Sequence, residues 1–190
     1  MKSVFVRALS DSEALLSECL ASEPFQESLV RAGAMIVACF QSGGSVFACG
    51  NGGSLADAAH FAEEFSGRFR NDRKPLPALA FTDPMHMSCV ANDYGYEYVF
   101  SRMIEAFGKP GDVLLLLSTS GNSPNLMRAA EAAKAKGVHT LGFLGRGGGS
   151  LAPLCDCVVL APGMTSDRIQ EVHMLSLHAL IEGVEAELGV

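Results

Sequence analysis

Apolar side chains recur every three to four residues over Val4–Leu20 and again over Phe25–Phe40, where Phe25, Leu29, Ala32, Met35, Ile36, Cys39 and Phe40 form one stripe. That period matches the helical turn, so residues 1–41 predict two amphipathic helices, divided at Glu23-Pro24 and closed by Ser42-Gly43-Gly44. The pattern then changes. Ser45–Cys49, Pro77–Thr82, Asp112–Leu117, Val138–Leu144 and Cys157–Leu160 are short runs that are apolar almost throughout. Between them lie helical stretches: one running to about Phe65, a segment broken near Asn92-Asp93 and ending near Gly108–Gly111, an Ala-rich helix over Asn125–Lys136 stopped by Gly137, and a last helix over about Ser166–Leu188. Strands without polar alternation, separated by helices, predict an α/β fold whose parallel sheet is covered on both faces.

One domain spans residues 1–190: an N-terminal helical segment over 1–41, then an α/β core with its C-terminal helix over 45–190. In open sheets of this kind ligands sit at the carboxyl ends of the strands, so the loops after Cys49, Thr82 and Leu117 are where function is expected. Charge narrows the partners. The chain carries 21 acidic and 14 basic residues, net −7, with no basic tail, which argues against a nucleic-acid partner. Uncharged apolar runs such as Val113–Leu117 are far short of a membrane span. Charges interleave with the apolar residues of the N-terminus, so no signal segment is expected and the protein is expected in the cytoplasm. The six cysteines, Cys155-Asp156-Cys157 included, lack zinc-ligand or redox spacing and read as small buried hydrophobes.

Two loops could hold an anion. Gly50-Asn51-Gly52-Gly53-Ser54 brings backbone N–H groups and a helix start together, but Leu55 stands where a dinucleotide fingerprint needs its third glycine, and no Walker A motif occurs. Ser118-Thr119-Ser120-Gly121-Asn122-Ser123-Pro124 offers four hydroxyls at a helix start. Ser123 before Pro124 reads as an ordinary N-cap, but capping leaves Ser118, Thr119 and Ser120 unexplained, and hydroxyls with free helical N–H groups suit a phosphate monoester. On the helix after the first loop, His60 and Glu64 share a face at i, i+4. On the last helix, Gln170 and His178 fall within about 80° of each other but roughly 12 Å apart, while His173 turns away into packing.

Taken together, Gly50–Ser54 with Asp57, His60–Glu64 and Gly67-Arg68, then Ala91-Asn92-Asp93, Ser118–Ser123, Asp167–Glu171 and His178, resemble the phosphoheptose isomerases of the sugar isomerase (SIS) domain family. The resemblance runs from about residue 3 to residue 188. It implies a flavodoxin-like SIS fold, a five-stranded parallel sheet sandwiched by helices, and a homotetramer with active sites at subunit interfaces. It implies conversion of sedoheptulose 7-phosphate to D-glycero-D-manno-heptose 7-phosphate through an enediol, the first step toward ADP-heptose for surface glycans. By resemblance, Ser118, Thr119, Ser120 and Ser123 hold the phosphate; Asn51, Gly52, Gly53, Asn92 and Asp93 line the sugar, with Glu64 and Gln170 touching it. His60, Glu64, Gln170 and His178 match ligands of one zinc per subunit, and Glu64 and His178 match an acid/base pair. Two other readings share the scaffold: a SIS protein that binds the bacterial replication initiator, and an isomerase of another sugar phosphate. The carboxylate at 64 and the histidine at 178 favour the enzyme.

Overall fold

The computed structural model describes residues 1–190. Two helices, α1 (Lys2–Ala21) and α2 (Glu23–Gln41), lead into β1 (Val46–Gly50), α3 (Gly53–Ser66), β2 (Ala78–Ala80), α4 (Pro84–Asp93) and α5 (Ser101–Phe107). β3 (Val113–Ser118), α6 (Pro124–Lys136), β4 (His139–Leu144), β5 (Cys157–Leu160) and α7 (Ser166–Leu188) complete the chain. The five strands are parallel in the order β2-β1-β3-β4-β5.

β3 lies at the centre and is buried at every position, which is why Val113–Leu117 carries no polar residue. Val113, Leu115 and Leu117 point to one face and pack with α2, α3 and α7 through Ile36, Phe61, Phe65 and Ile181. Leu114 and Leu116 point to the other and meet Phe100, Ile104, Leu126 and Ala130. The alternation that a one-sided sheet would show in polarity is here an alternation between two apolar cores.

Element boundaries follow local chemistry. α2 starts two residues before the apolar stripe, because Ser22 caps it, its hydroxyl accepting from the Phe25 N–H at 3.3 Å, and Pro24 is tolerated in the first turn. Asp83-Pro84 does more than close β2: the Asp83 carboxylate accepts from His86 N–H at 2.8 Å and starts α4. β2 is half the expected length. It is an edge strand with three paired residues, and its central Leu79 is exposed.

Candidate active site

The strand order reverses direction between β1 and β3, and a helix-flanked sheet opens a crevice at that switch point. The loops after these two strands are the glycine loop and the serine loop, and a side-chain pair stitches them together. Asn51 Nδ2 donates to Asn125 Oδ1 at 3.0 Å, and Asn125 Nδ2 donates back to Asn51 Oδ1 at 2.8 Å. Tyr96, in the short helical turn after α4, adds its hydroxyl to Asn51 Oδ1 at 3.2 Å. Asn125 and Tyr96 escaped the sequence reading. Asn125 closes the serine loop without a signal of its own, and nothing in the sequence marks Tyr96 as returning to β1.

Between the loops lies a polar pocket of about 220 Å³ lined by Asn51, Ser54, Ser118, Thr119, Ser120, Ser123, Ser166 and Gln170. Its hydroxyls have distinct duties. Ser118 is buried and its Oγ accepts from Gly121 N–H at 2.9 Å, shaping the turn. Ser120 Oγ accepts from Asn122 N–H at 3.2 Å. The hydroxyls of Thr119 and Ser166 lie 3.1 Å apart, joining the serine loop to the start of α7. Ser123 occupies the N-cap position of α6, yet its side chain makes no capping bond, so its hydroxyl remains available to a ligand. The turn needs Gly121: its φ is +64°, and a Cβ there would stand 2.0 Å from Gly148 O.

No basic side chain lines this pocket. The nearest connection to one runs through Ser166, whose Oγ accepts from Arg146 Nη2 at 3.3 Å. Arg146 also donates to Met164 O, and it is the one non-glycine residue with positive φ, at 48°. The groups that could meet an anion here are therefore hydroxyls, in the field of the helix starts around the pocket.

Two to three turns further along α3 and α7, the ligand atoms of His60, Glu64 and His178 all lie within 4.8 Å of one another. His60 Nε2 is 3.2 Å from Glu64 Oε1, and His178 Nε2 is 4.0 Å from the same oxygen. The two imidazoles meet edge to face at 5.0 Å. The Glu64 side chain is only 14% exposed, against 44% and 37% for the histidines, so the carboxylate sits behind rings that face outward. Two imidazole nitrogens and one carboxylate oxygen are a donor set that suits zinc and leaves a position open. Asp57, one turn before His60, has a buried carboxylate oxygen without a partner, and burial pushes its acid up to about 6.

Gln170 lies elsewhere. Its amide donates to Ser54 Oγ at 3.4 Å and sits against Gly53, where a Cβ would come within 2.7 Å of Nε2. It therefore belongs to the polar pocket, two turns of α7 before His178. Asn92 and Asp93 are exposed at the end of α4, bonded to each other at 2.7 Å, and line neither that pocket nor the adjoining one at Tyr94–Glu97. His173 is fully buried, with no hydrogen-bond partner on either ring nitrogen, and packs edge to face on Phe143.

The sequence pattern of the SIS domain matches residues 9–145. The phosphoheptose isomerase of Cytophaga hutchinsonii is 47% identical over 189 residues, covering 99% of each chain. That of Fusobacterium nucleatum is 57% identical over 146 residues, 77% of this chain and 75% of its own. The solved structure of phosphoheptose isomerase from Neisseria gonorrhoeae superposes with a TM-score of 0.92 at 35% identity, covering 97% of this chain and 98% of that one.

Proposed function

The chain belongs to the SIS domain family and, within it, to the phosphoheptose isomerases, and from that premise we propose how its site carries out the reaction. The substrate is sedoheptulose 7-phosphate and the product D-glycero-D-manno-heptose 7-phosphate. The observation that carries the reading is the pairing of a recessed carboxylate and an imidazole, Glu64 and His178, with a hydroxyl-lined pocket two to three helical turns away.

The phosphate is held by Thr119, Ser120 and Ser123 hydroxyls and the helix N–H groups around them, while Ser118 shapes the loop. The sugar chain then runs from this pocket along α3 and α7. Ser54 and Glu64 are roughly 15 Å apart along α3, which accommodates an extended phosphorylated sugar together with its contacts at both ends. Asn51, Gly52, Gly53 and Gln170 border the start of that path, and Asn92 and Asp93 act from the rim. Glu64 removes the proton from C1, next to the C2 carbonyl. The carbonyl oxygen takes a proton from His178, giving the enediol. The O1 hydroxyl then returns its proton to His178 while Glu64 delivers its own to C2, leaving the aldehyde at C1. Partial burial of Glu64 keeps water from competing for the proton.

His60, Glu64 and His178 would hold a zinc ion, and a Glu64 oxygen or His178 nitrogen bound to it would have to leave it before carrying a proton. Gln170 would join them only after leaving Ser54. When bound, the ion supplies charge stabilisation to the two oxygens that change role. Metal analysis of protein purified without chelator should find about one zinc per chain, lost in His60→Ala; full activity after exhaustive chelation would leave the acid/base pair alone. We further read the enzyme as a homotetramer. No helix is long and apolar enough to cross a membrane, and a charged sugar phosphate substrate supports a cytoplasmic setting. Incubating the protein with sedoheptulose 7-phosphate and following the aldose by NMR tests the reaction itself.

A further inference from the structure

The segment between α3 and β2 is wedged between the end of α3 and one stripe of α7. At its centre, Arg73 is almost wholly buried, its side chain 3% exposed. A helix leaves its last carbonyls without partners, and Arg73 takes two of them on α3: Nη2 donates to Glu64 O at 2.8 Å and Nη1 to Phe65 O at 2.9 Å. Its Nε donates across to Glu185 Oε1 on α7 at 2.5 Å. Arg70 pairs with Glu182 at 2.7 Å, and Phe69 stacks on the His178 ring at 5.7 Å. His178, Glu182 and Glu185 are i, i+4 and i+7 on α7, so one face of that helix is gripped three times by residues 69–73.

We infer that Arg73 and Glu185 form a clamp that sets the distance between Glu64 and His178, making Arg73 a positioning residue for the isomerisation. Arg73 holds Glu64 by its backbone, and through Glu185 holds the helix carrying His178. The planar fork of an arginine is required, because a lysine cannot serve two carbonyls and a carboxylate in fixed directions. The phosphate pocket lies at the opposite ends of α3 and α7 and is outside the clamp's reach.

The inference rests on Glu64 and His178 being the acid/base pair, and the experiment separates the two. Arg73→Lys, Glu185→Gln and the double variant are compared with wild type in kcat and KM for sedoheptulose 7-phosphate, in melting temperature, and in the histidine ring NMR signals, His178 being assigned by its loss in His178→Gln. The clamp predicts kcat reduced at least about tenfold with KM within about twofold, since small displacements of reacting groups are costly. It also predicts a shifted His178 signal and a double variant no worse than Arg73→Lys alone. Folded variants with wild-type kcat and an unmoved His178 signal overturn it, as does a loss of kcat that only tracks lost folded protein. An inactive wild type whose His178 signal still moves in the variants refutes the isomerase reading and keeps the clamp.

Discussion

Asp57 and His173 are titratable groups whose neutral forms burial favours, one an acid and one a base, and their effects on stability oppose each other. Burial raises Asp57 to about 6, so between pH 4 and 6 the folded chain holds a proton that the unfolded chain has released. Stability from this group therefore falls as pH rises through that window. Burial lowers His173 from 6.5 to about 4, so below pH 6.5 the unfolded chain takes a proton that the folded chain refuses. Stability from this group falls as pH drops. Melting temperatures from pH 4 to 7 should show the advantage of His173→Leu over wild type growing toward acid, and that of Asp57→Asn growing toward neutrality. Parallel curves would contradict this account of both residues. At neutral pH the advantage of His173→Leu should be at its smallest in this series, since the ring is then neutral in both the folded and unfolded chain.

Among the elements, α4 and α6 begin alike in sequence, Asp83-Pro84 and Ser123-Pro124, yet differ in structure. Asp83 closes its cap on His86 N–H, whereas the Ser123 side chain makes no cap bond. Asp83→Ala should cost about 1 kcal/mol of stability and Ser123→Ala only a few tenths, while Ser123→Ala weakens protection of the protein by inorganic phosphate in thermal melts. Equal destabilisation by the two, with phosphate protection intact, would return Ser123 to a structural role. This contrast marks what the sequence carries. The all-apolar run of β3, the helix of α7 and the serine loop were legible because burial on two faces, a 3.6-residue period and surplus hydroxyls are local signals. The Asn51–Asn125 pair, the return of Tyr96 to β1, the clamp of Arg73 and the seat of Gln170 on Gly53 join residues distant in sequence. Each depends on how strands are ordered and helices set side by side, which no local pattern encodes. His60 and Glu64 could be read as neighbours on one helix; their meeting with His178 required the packing of α3 on α7.

At the scale of the whole molecule, the two apolar cores account for the sheet's faces but leave apolar surface over. Val4, Phe5, Val6 and Leu9 stand exposed on α1, and Leu29, Val30, Val37 and Leu180 line a groove of about 580 Å³ between α2 and α7. Such surface on a chain of mean hydropathy +0.24 supports association into the proposed tetramer. Light scattering at micromolar concentration should give four times the 20.0 kDa chain mass, and a 20.0 kDa particle would contradict it. The central claim is that this assembly moves a carbonyl between C2 and C1 of a sugar phosphate with Glu64 as the base. Wild type and Glu64→Gln incubated with sedoheptulose 7-phosphate, with aldose formation followed by NMR, test it most directly. The account predicts conversion by wild type and turnover reduced by about 10²- to 10⁴-fold in a variant that remains folded, since the swap is nearly isosteric. No aldose from wild type, or near-wild-type turnover from Glu64→Gln, would contradict it.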